Sequence, residues 1–65
     1  MEYQYRNVDG GFLDGADYIS YETRTGEVMI HDEDGDVTLC KYWTLTMLEE
    51  YVSNGSFEMT IKEGE

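Results

Sequence analysis

Sixty-five residues carrying 15 Asp and Glu against 4 Lys and Arg give one small domain with a net charge of −11. A chain of this length buries only about 60% of the surface its unfolded form exposes, and its one cysteine, Cys40, excludes an internal disulfide and fits a reducing compartment. No apolar run reaches the ~18 residues of a membrane span, MEYQYRNV lacks the marks of a signal peptide, and so acidic a surface repels nucleic acid and anionic lipid.

Disordered acidic chains are poor in aromatics and often rich in Pro. Here aromatics make up 14% of the residues, Tyr occurs six times, and Pro is absent. The sequence therefore predicts a folded cytoplasmic protein, with no membrane or direct nucleic-acid contact, whose partners are basic. No repeat, low-complexity block or linker divides it, so residues 1–65 read as a single domain.

In residues 1–6, Tyr3 and Tyr5 alternate with Glu2, Gln4 and Arg6, which predicts a strand. Residues 9–15, Asp9-Gly10-Gly11-Phe12-Leu13-Asp14-Gly15, predict a glycine-rich loop that carries Phe12 and Leu13 onto a surface. From 18 to 42 the pattern has period two, broken at Thr25-Gly26 and Asp34-Gly35, which predicts a three-stranded antiparallel β-meander. Two-residue loops at both breaks set Tyr21 opposite Ile30, Thr23 opposite Val28, Ile30 opposite Leu39 and Asp32 opposite Val37. Ile19, Tyr21, Val28, Ile30, Val37 and Leu39 then share the inward face. Ser20, Glu22, Glu27, His31, Asp36 and Thr38 share the outward one, with Tyr18, Met29, Cys40 and Tyr42. A one-residue slip in either turn would exchange the faces of a strand.

At residues 45–53 the period changes: Leu45, Leu48 and Val52 recur at spacings of three and four, which predicts a short amphipathic helix. Thr46 with Glu49 fits a capping box, Thr44 is the rival N-cap, and Asn54-Gly55 is the stop signal. Residues 57–62 alternate again as a last strand, with Phe57, Met59 and Ile61 inward. The predicted fold class is α+β: a small antiparallel sheet of four to five strands around the central meander, with one short helix packed on one face. Strand order does not follow from the pattern.

Catalytic and metal chemistry find few residues. Asp32-Glu33-Asp34-Gly35-Asp36 resembles part of a calcium loop, but placing Gly35 at position 6 puts Ile30 at position 1 and Lys41 at position 12, so both ends fail. A weak cation site is the third and least supported reading of this segment; a solvated hairpin tip is the simpler one. His31 is the only histidine and falls beside Cys40 in this register, yet two residues cannot make a structural zinc site. A catalytic Cys-His pair would need a pocket and oxyanion donors that a domain of this volume hardly supplies. The glycines of 9–15 lack the lysine and following helix of a phosphate loop. The sequence predicts no enzyme, no cofactor and no metal. Aromatic stacking on single-stranded nucleic acid needs a positive groove that four scattered basic residues cannot form.

The acidic surface remains as a working part. Same-face strand residues sit about 6.6 Å apart, close to the ~6 to 7 Å between successive phosphates of a nucleic-acid strand. The candidate partner-binding acids are Asp32, Glu33, Asp34 and Asp36 at the tip, Glu22 and Glu27 on the outward face, and Asp14 and Asp17 before it. The bland reading is that charge only maintains solubility. The alternative site is aromatic: Tyr3, Tyr5, Phe12, Tyr42 and Trp43, with Leu13, as an exposed surface of a small oligomerising adaptor.

In size, acidity and element order, the hairpin from Glu27 to Tyr42 with its acidic tip, the helix from Thr46 to Ser53 and the strand from Phe57 to Lys62 resemble the small acidic inhibitors that bacteriophages encode. That class holds DNA-mimicking proteins, anti-CRISPR proteins and uracil-DNA glycosylase inhibitors. The resemblance carries no residue roles. It implies a stoichiometric, often dimeric inhibitor acting in the infected cell's cytoplasm. The leading expectation is thus a non-enzymatic phosphate mimic that blocks the cationic groove of a nucleic-acid-processing host protein.

Overall fold

The computed structural model describes residues 1–10, 12 and 16–63. Its elements are β1 (Glu2–Asn7), β2 (Ala16–Glu22), β3 (Glu27–Asp32), β4 (Val37–Cys40), α1 (Leu45–Ser53) and β5 (Phe57–Lys62). Five strands form one antiparallel sheet in the order β4-β3-β2-β1-β5, and α1 carries the chain from one sheet edge to the other. The α+β architecture predicted from the sequence is the observed one, with the full five strands.

Both hairpin turns are longer than the two residues predicted, and for one reason. A two-residue type I′ turn needs positive φ at both central residues, which costs a non-glycine L-residue roughly 1–2 kcal/mol. Among the described residues only glycines have positive φ. The β2–β3 turn therefore widens to four residues, 23–26, with Gly26 alone at φ 75° and its N–H donated to the Glu22 carbonyl (2.8 Å). Tyr21 pairs with Val28 and Ile19 with Ile30. That shift from the predicted register is even, so each side chain keeps its expected face.

The β3–β4 turn widens to three residues, 33–35, with Gly35 at φ 90°; the Gly35 N–H bonds the Asp32 carbonyl (3.0 Å) and the Asp32 N–H bonds the Asp36 carbonyl (2.8 Å). This shift is odd. Val28 pairs with Cys40 and Ile30 with Thr38, so β4 turns over relative to the expected register. Cys40 is buried in the core, while Val37 and Leu39, predicted inward, are 55% and 45% exposed on the opposite face. The predicted Cys40–His31 proximity disappears too, because the two now project from opposite faces of the sheet.

The helix is capped by Thr44, whose Oγ1 accepts the Met47 N–H (3.2 Å), and not by Thr46. With Thr44 as cap, Trp43 precedes the helix and Leu48 is its fourth residue, the pair of positions that brackets a helix start hydrophobically; Leu48 is fully buried and Trp43 packs against the same cluster. At the other end the Gly55 N–H reaches the Val52 carbonyl (3.2 Å) and the Ser56 N–H reaches the Tyr51 carbonyl (2.9 Å). These are the two bonds of a Schellman stop, and Gly55 at φ 89° permits them.

The core joins Tyr5, Ile19, Val28, Cys40, Leu48 and Phe57 between the helix and one sheet face. Tyr5, expected on an exposed aromatic surface, is fully buried: period two puts it on the same face as Ile19, its partner across β2. Its hydroxyl has no hydrogen-bond partner, and burial together with the nearby Glu49 carboxylate pushes the phenol up to about 12. Tyr3, also expected to be exposed, is partly buried and stacks on Tyr21 at 6.1 Å. Met59 and Ile61 share the inward side of β5 but are 41% and 51% exposed. Nine helical residues span only about 13 Å, too little to cover a sheet of five strands spaced about 4.8 Å apart.

Candidate functional site

The length mismatch between helix and sheet creates the site. Over the part of the inward face that α1 leaves uncovered lies a pocket of about 410 Å³. Ile19 from β2, Ile30 from β3 and Ala16 at the start of β2 form its floor; Phe12, Tyr42, Trp43, Tyr51 and Phe57 form its walls, and Asn7 adds a polar group.

Phe57 is the hub of these walls. It is the first residue of β5, directly opposite Asn7 of β1, and its ring is buried. Phe12 meets it edge-on at 5.2 Å, Tyr51 at 5.0 Å with perpendicular planes, and Trp43 at 5.7 Å. Trp43 and Tyr51 make a further T-shaped contact at 5.2 Å. Edge-to-face pairs add roughly 0.5–1.5 kcal/mol each beyond simple burial, so the pocket wall is also a structural unit. Two hydrogen bonds donated by backbone N–H groups fix its ends. The Phe12 N–H donates to the Ala16 carbonyl (3.2 Å) and the Trp43 N–H donates to Cys40 Sγ (3.3 Å). Tyr42 stands at the rim, largely exposed.

Of the aromatic residues expected at a binding surface, Phe12, Tyr42 and Trp43 thus converge on one pocket, whereas Tyr3 and Tyr5 belong to the core beside it. Leu13 lies outside the described residues. Tyr51 and Phe57 complete the site and were not singled out in the sequence. Their periodicity, helical for Tyr51 and strand-like for Phe57, marks them only as inward-facing; their meeting depends on the crossover that brings β5 beside β1.

The expected acidic face divides into two groups. Asp32, Glu33, Asp34 and Asp36 crowd the β3–β4 tip, all exposed, and Asp17 sits at the bulge of β2 near the same end, where Ala16 pairs with Asp32. Glu22 and Glu27 pair with each other at the far end of the same two strands. Asp32 lies five residue steps beyond Glu27 along β3, roughly 17 Å away. The Asp32-Asp34-Asp36 row does not stay straight, since Asp32 and Asp36 face each other across the turn. Asp14 lies outside the described residues. Glu22 is held below the usual carboxylate range by the Arg24 backbone N–H, which it accepts at 3.1 Å, helped by the N-terminal ammonium at 3.7 Å.

The other face of the sheet holds a polar cluster that the sequence did not reveal. The His31 ring lies flat on Tyr18 (4.1 Å, 9°), the Arg6 guanidinium sits 4.6 Å over the same Tyr18 ring, and His31 Nε2 is hydrogen-bonded to Ser20 Oγ at 2.8 Å. Tyr18 and His31 are directly opposed across the β2–β3 ladder, the arrangement that lets flat rings stack. Desolvation lowers the His31 pKa against the pull of Glu2 and Asp17, which keeps the imidazole neutral near pH 7. Ser20 is buried, and a buried hydroxyl needs a partner. Serine beside histidine resembles the start of a hydrolytic dyad, although the β2 strand amides beside Ser20 lie within a strand paired on both sides. Among the described residues no three His, Cys, Asp or Glu side chains gather as a metal ion would require.

No helix among the described residues is long and apolar enough to cross a membrane. No protein-family model matches the chain, and neither a curated protein nor a solved structure does.

Proposed function

We propose that this protein is a non-enzymatic interaction module that receives an apolar side chain of a partner protein in the pocket around Phe57. The observation that carries this reading is the pocket itself, five aromatic residues around a floor of Ile19, Ile30 and Ala16, open beside the helix. Rigid aromatic anchors in a desolvated recess are the features that concentrate binding energy in protein interfaces. A volume near the lower end of the ligand-pocket range suits one or two side chains. The net charge of −11 then biases the choice toward basic partners and speeds their approach.

The test is partner capture on immobilised protein, followed through a salt gradient and repeated with variants. Tyr42→Ser at the rim and Trp43→Ala in the wall weaken binding about tenfold or more. The Asp32→Asn, Asp34→Asn, Asp36→Asn triple variant retains it. Loss in the triple variant with retention in both aromatic variants would reject the pocket.

That opposite result belongs to the second reading, an acidic inhibitor that mimics nucleic-acid phosphates in the cationic groove of a nucleic-acid-processing host protein, in keeping with the phage-inhibitor resemblance and a cytoplasmic site of action. The observation in its favour is the concentration of Asp32, Glu33, Asp34 and Asp36 on one exposed turn. Such binding falls steeply with salt and competes with DNA.

A further inference from the structure

The two edges of the sheet are built differently. The β5 edge carries Glu58 and Lys62, and charged side chains discourage another strand from adding to an edge. The β4 edge reads Val37-Thr38-Leu39-Cys40, with no charge, proline or bulge. The adjoining turn fixes how its backbone points. Because the Asp32 N–H bonds the Asp36 carbonyl, Asp32 and Asp36 are a hydrogen-bonded pair. Bonded and non-bonded pairs alternate along an antiparallel ladder, so Ile30–Thr38 and Val28–Cys40 are bonded pairs as well. Val37 and Leu39 therefore turn their N–H and C=O groups away from β3, toward solvent. Among the described residues β4 pairs with no other strand, and the Val37 and Leu39 side chains are about half exposed.

We propose that β4 pairs with β4 of a second copy, antiparallel about a two-fold axis at Thr38, joining two five-stranded sheets into one. In this register Val37 of each copy meets Leu39 of the other, through the backbone groups that point outward. The two Thr38 residues face each other at the axis, and such Thr–Thr pairs are favourable across strands. Charge selects the antiparallel sense. Lys41, one of 4 basic residues in the chain, comes alongside the Asp34–Asp36 tip of the other copy at both ends of the interface. A parallel pairing would set the two acidic tips together.

The contact is self-complementary, as a two-fold interface must be, and it adds apolar cover that a 65-residue chain is short of. It is independent of the aromatic pocket, which opens on the other face. A four-residue edge makes a small interface, and the net charge of −11 on each copy opposes it. The dimer is accordingly weak, concentration-dependent and strengthened by salt, because screening acts chiefly on charges further apart than a Debye length.

Sedimentation velocity of the full chain from micromolar to millimolar concentration, in low and high salt, reads the association. Amide hydrogen exchange at Val37 and Leu39 reads its location. The expected result is dimer at the upper concentrations, more of it in high salt, with exchange at Val37 and Leu39 slowing as it forms. Leu39→Lys raises the dissociation constant about tenfold or more by placing a charge on the pairing edge; an unchanged circular dichroism melt shows that its monomer stays folded. Lys41→Glu has a smaller effect in the same direction. A chain that stays monomeric at millimolar concentration in high salt would overturn the proposal. So would a dimer whose exchange slows at the pocket or at β5 while Val37 and Leu39 stay unprotected.

Discussion

The two faces of this sheet are made from alternate residues of the same strands and have little else in common. On the inward face, Tyr5, Ile19, Val28, Cys40 and Phe57 meet Leu48 of the helix, and cohesion comes from removing hydrocarbon and aromatic edges from water. On the outward face no helix packs among the described residues. There the side chains cover one another: Tyr18 lies between Arg6 and His31, and His31 satisfies Ser20. The difference shows that burial on the second face is lateral, built from neighbours on adjacent strands, whereas burial on the first depends on a layer packed from above.

The largest break between the faces comes from one truncation made on each. Leu48→Ala empties a fully buried site and costs about 2–5 kcal/mol, enough to unfold a domain whose whole stability is on the order of 5 kcal/mol. Leu39→Ala, about half exposed on the outward face, costs about 1 kcal/mol or less. Urea titrations followed by circular dichroism measure both. Equal costs would mean that the outward face is buried by something else.

Tyr5 sharpens the inward side. Its phenol is neutral in the folded state up to about 12, while the unfolded chain begins to ionise near 10. The unfolded state thus gives up its proton first as pH rises. Below pH 10 the group brings no pH-dependent cost to folding, and between pH 10 and 12 a destabilising penalty grows in as the unfolded chain ionises while the folded one does not. Tyr5→Phe removes this particular step. At neutral pH the same change is neutral or mildly stabilising, because the hydroxyl it removes has no partner. Thermal melts across that pH range for both proteins test the two statements together.

A smaller effect lies at the helix start, on which the inward layer depends. Thr44→Ala costs about 1 kcal/mol by releasing the Met47 N–H, and Thr46→Ala costs a few tenths at most. A reversed order would restore Thr46 as the cap. Smallest is the pH response of the outward face. The lowered His31 pKa means that the unfolded chain takes up a proton before the folded one does. His31 therefore supports the fold above about pH 6.5 and loses that support as pH falls below it. His31→Gln flattens this slope between pH 5 and 7 in the same melts.

Much of the fold is legible in the chain because period and punctuation are local properties. The helix at 45–53 and the strand at 57–62 occur as their spacing predicts, and the even shift of the β2–β3 turn leaves Ile19, Tyr21, Val28 and Ile30 on their expected face. The odd shift at Asp34-Gly35 was not legible. Asp-Gly occurs in two-residue and in three-residue turns alike, so the dipeptide does not reveal which is formed, and the choice between them decides whether Leu39 or Cys40 is buried. The candidate site was half legible. Phe12 and Trp43 stand out as large side chains in loops, but Tyr51 and Phe57 read as ordinary core positions until the crossover places them on the same pocket.

By itself the sequence determined the class of the fold, the place of every element within a few residues and the charge that any partner must meet. These follow from hydrophobic period, turn chemistry and a count of ionisable groups, none of which needs a long-range contact. Only the tertiary structure decided the strand order, the face of β4 and the existence of the pocket. A nine-residue helix crossing five strands must leave part of one face uncovered, and which part depends on where its two ends are tied, at Thr44 beside β4 and at Gly55 beside β5.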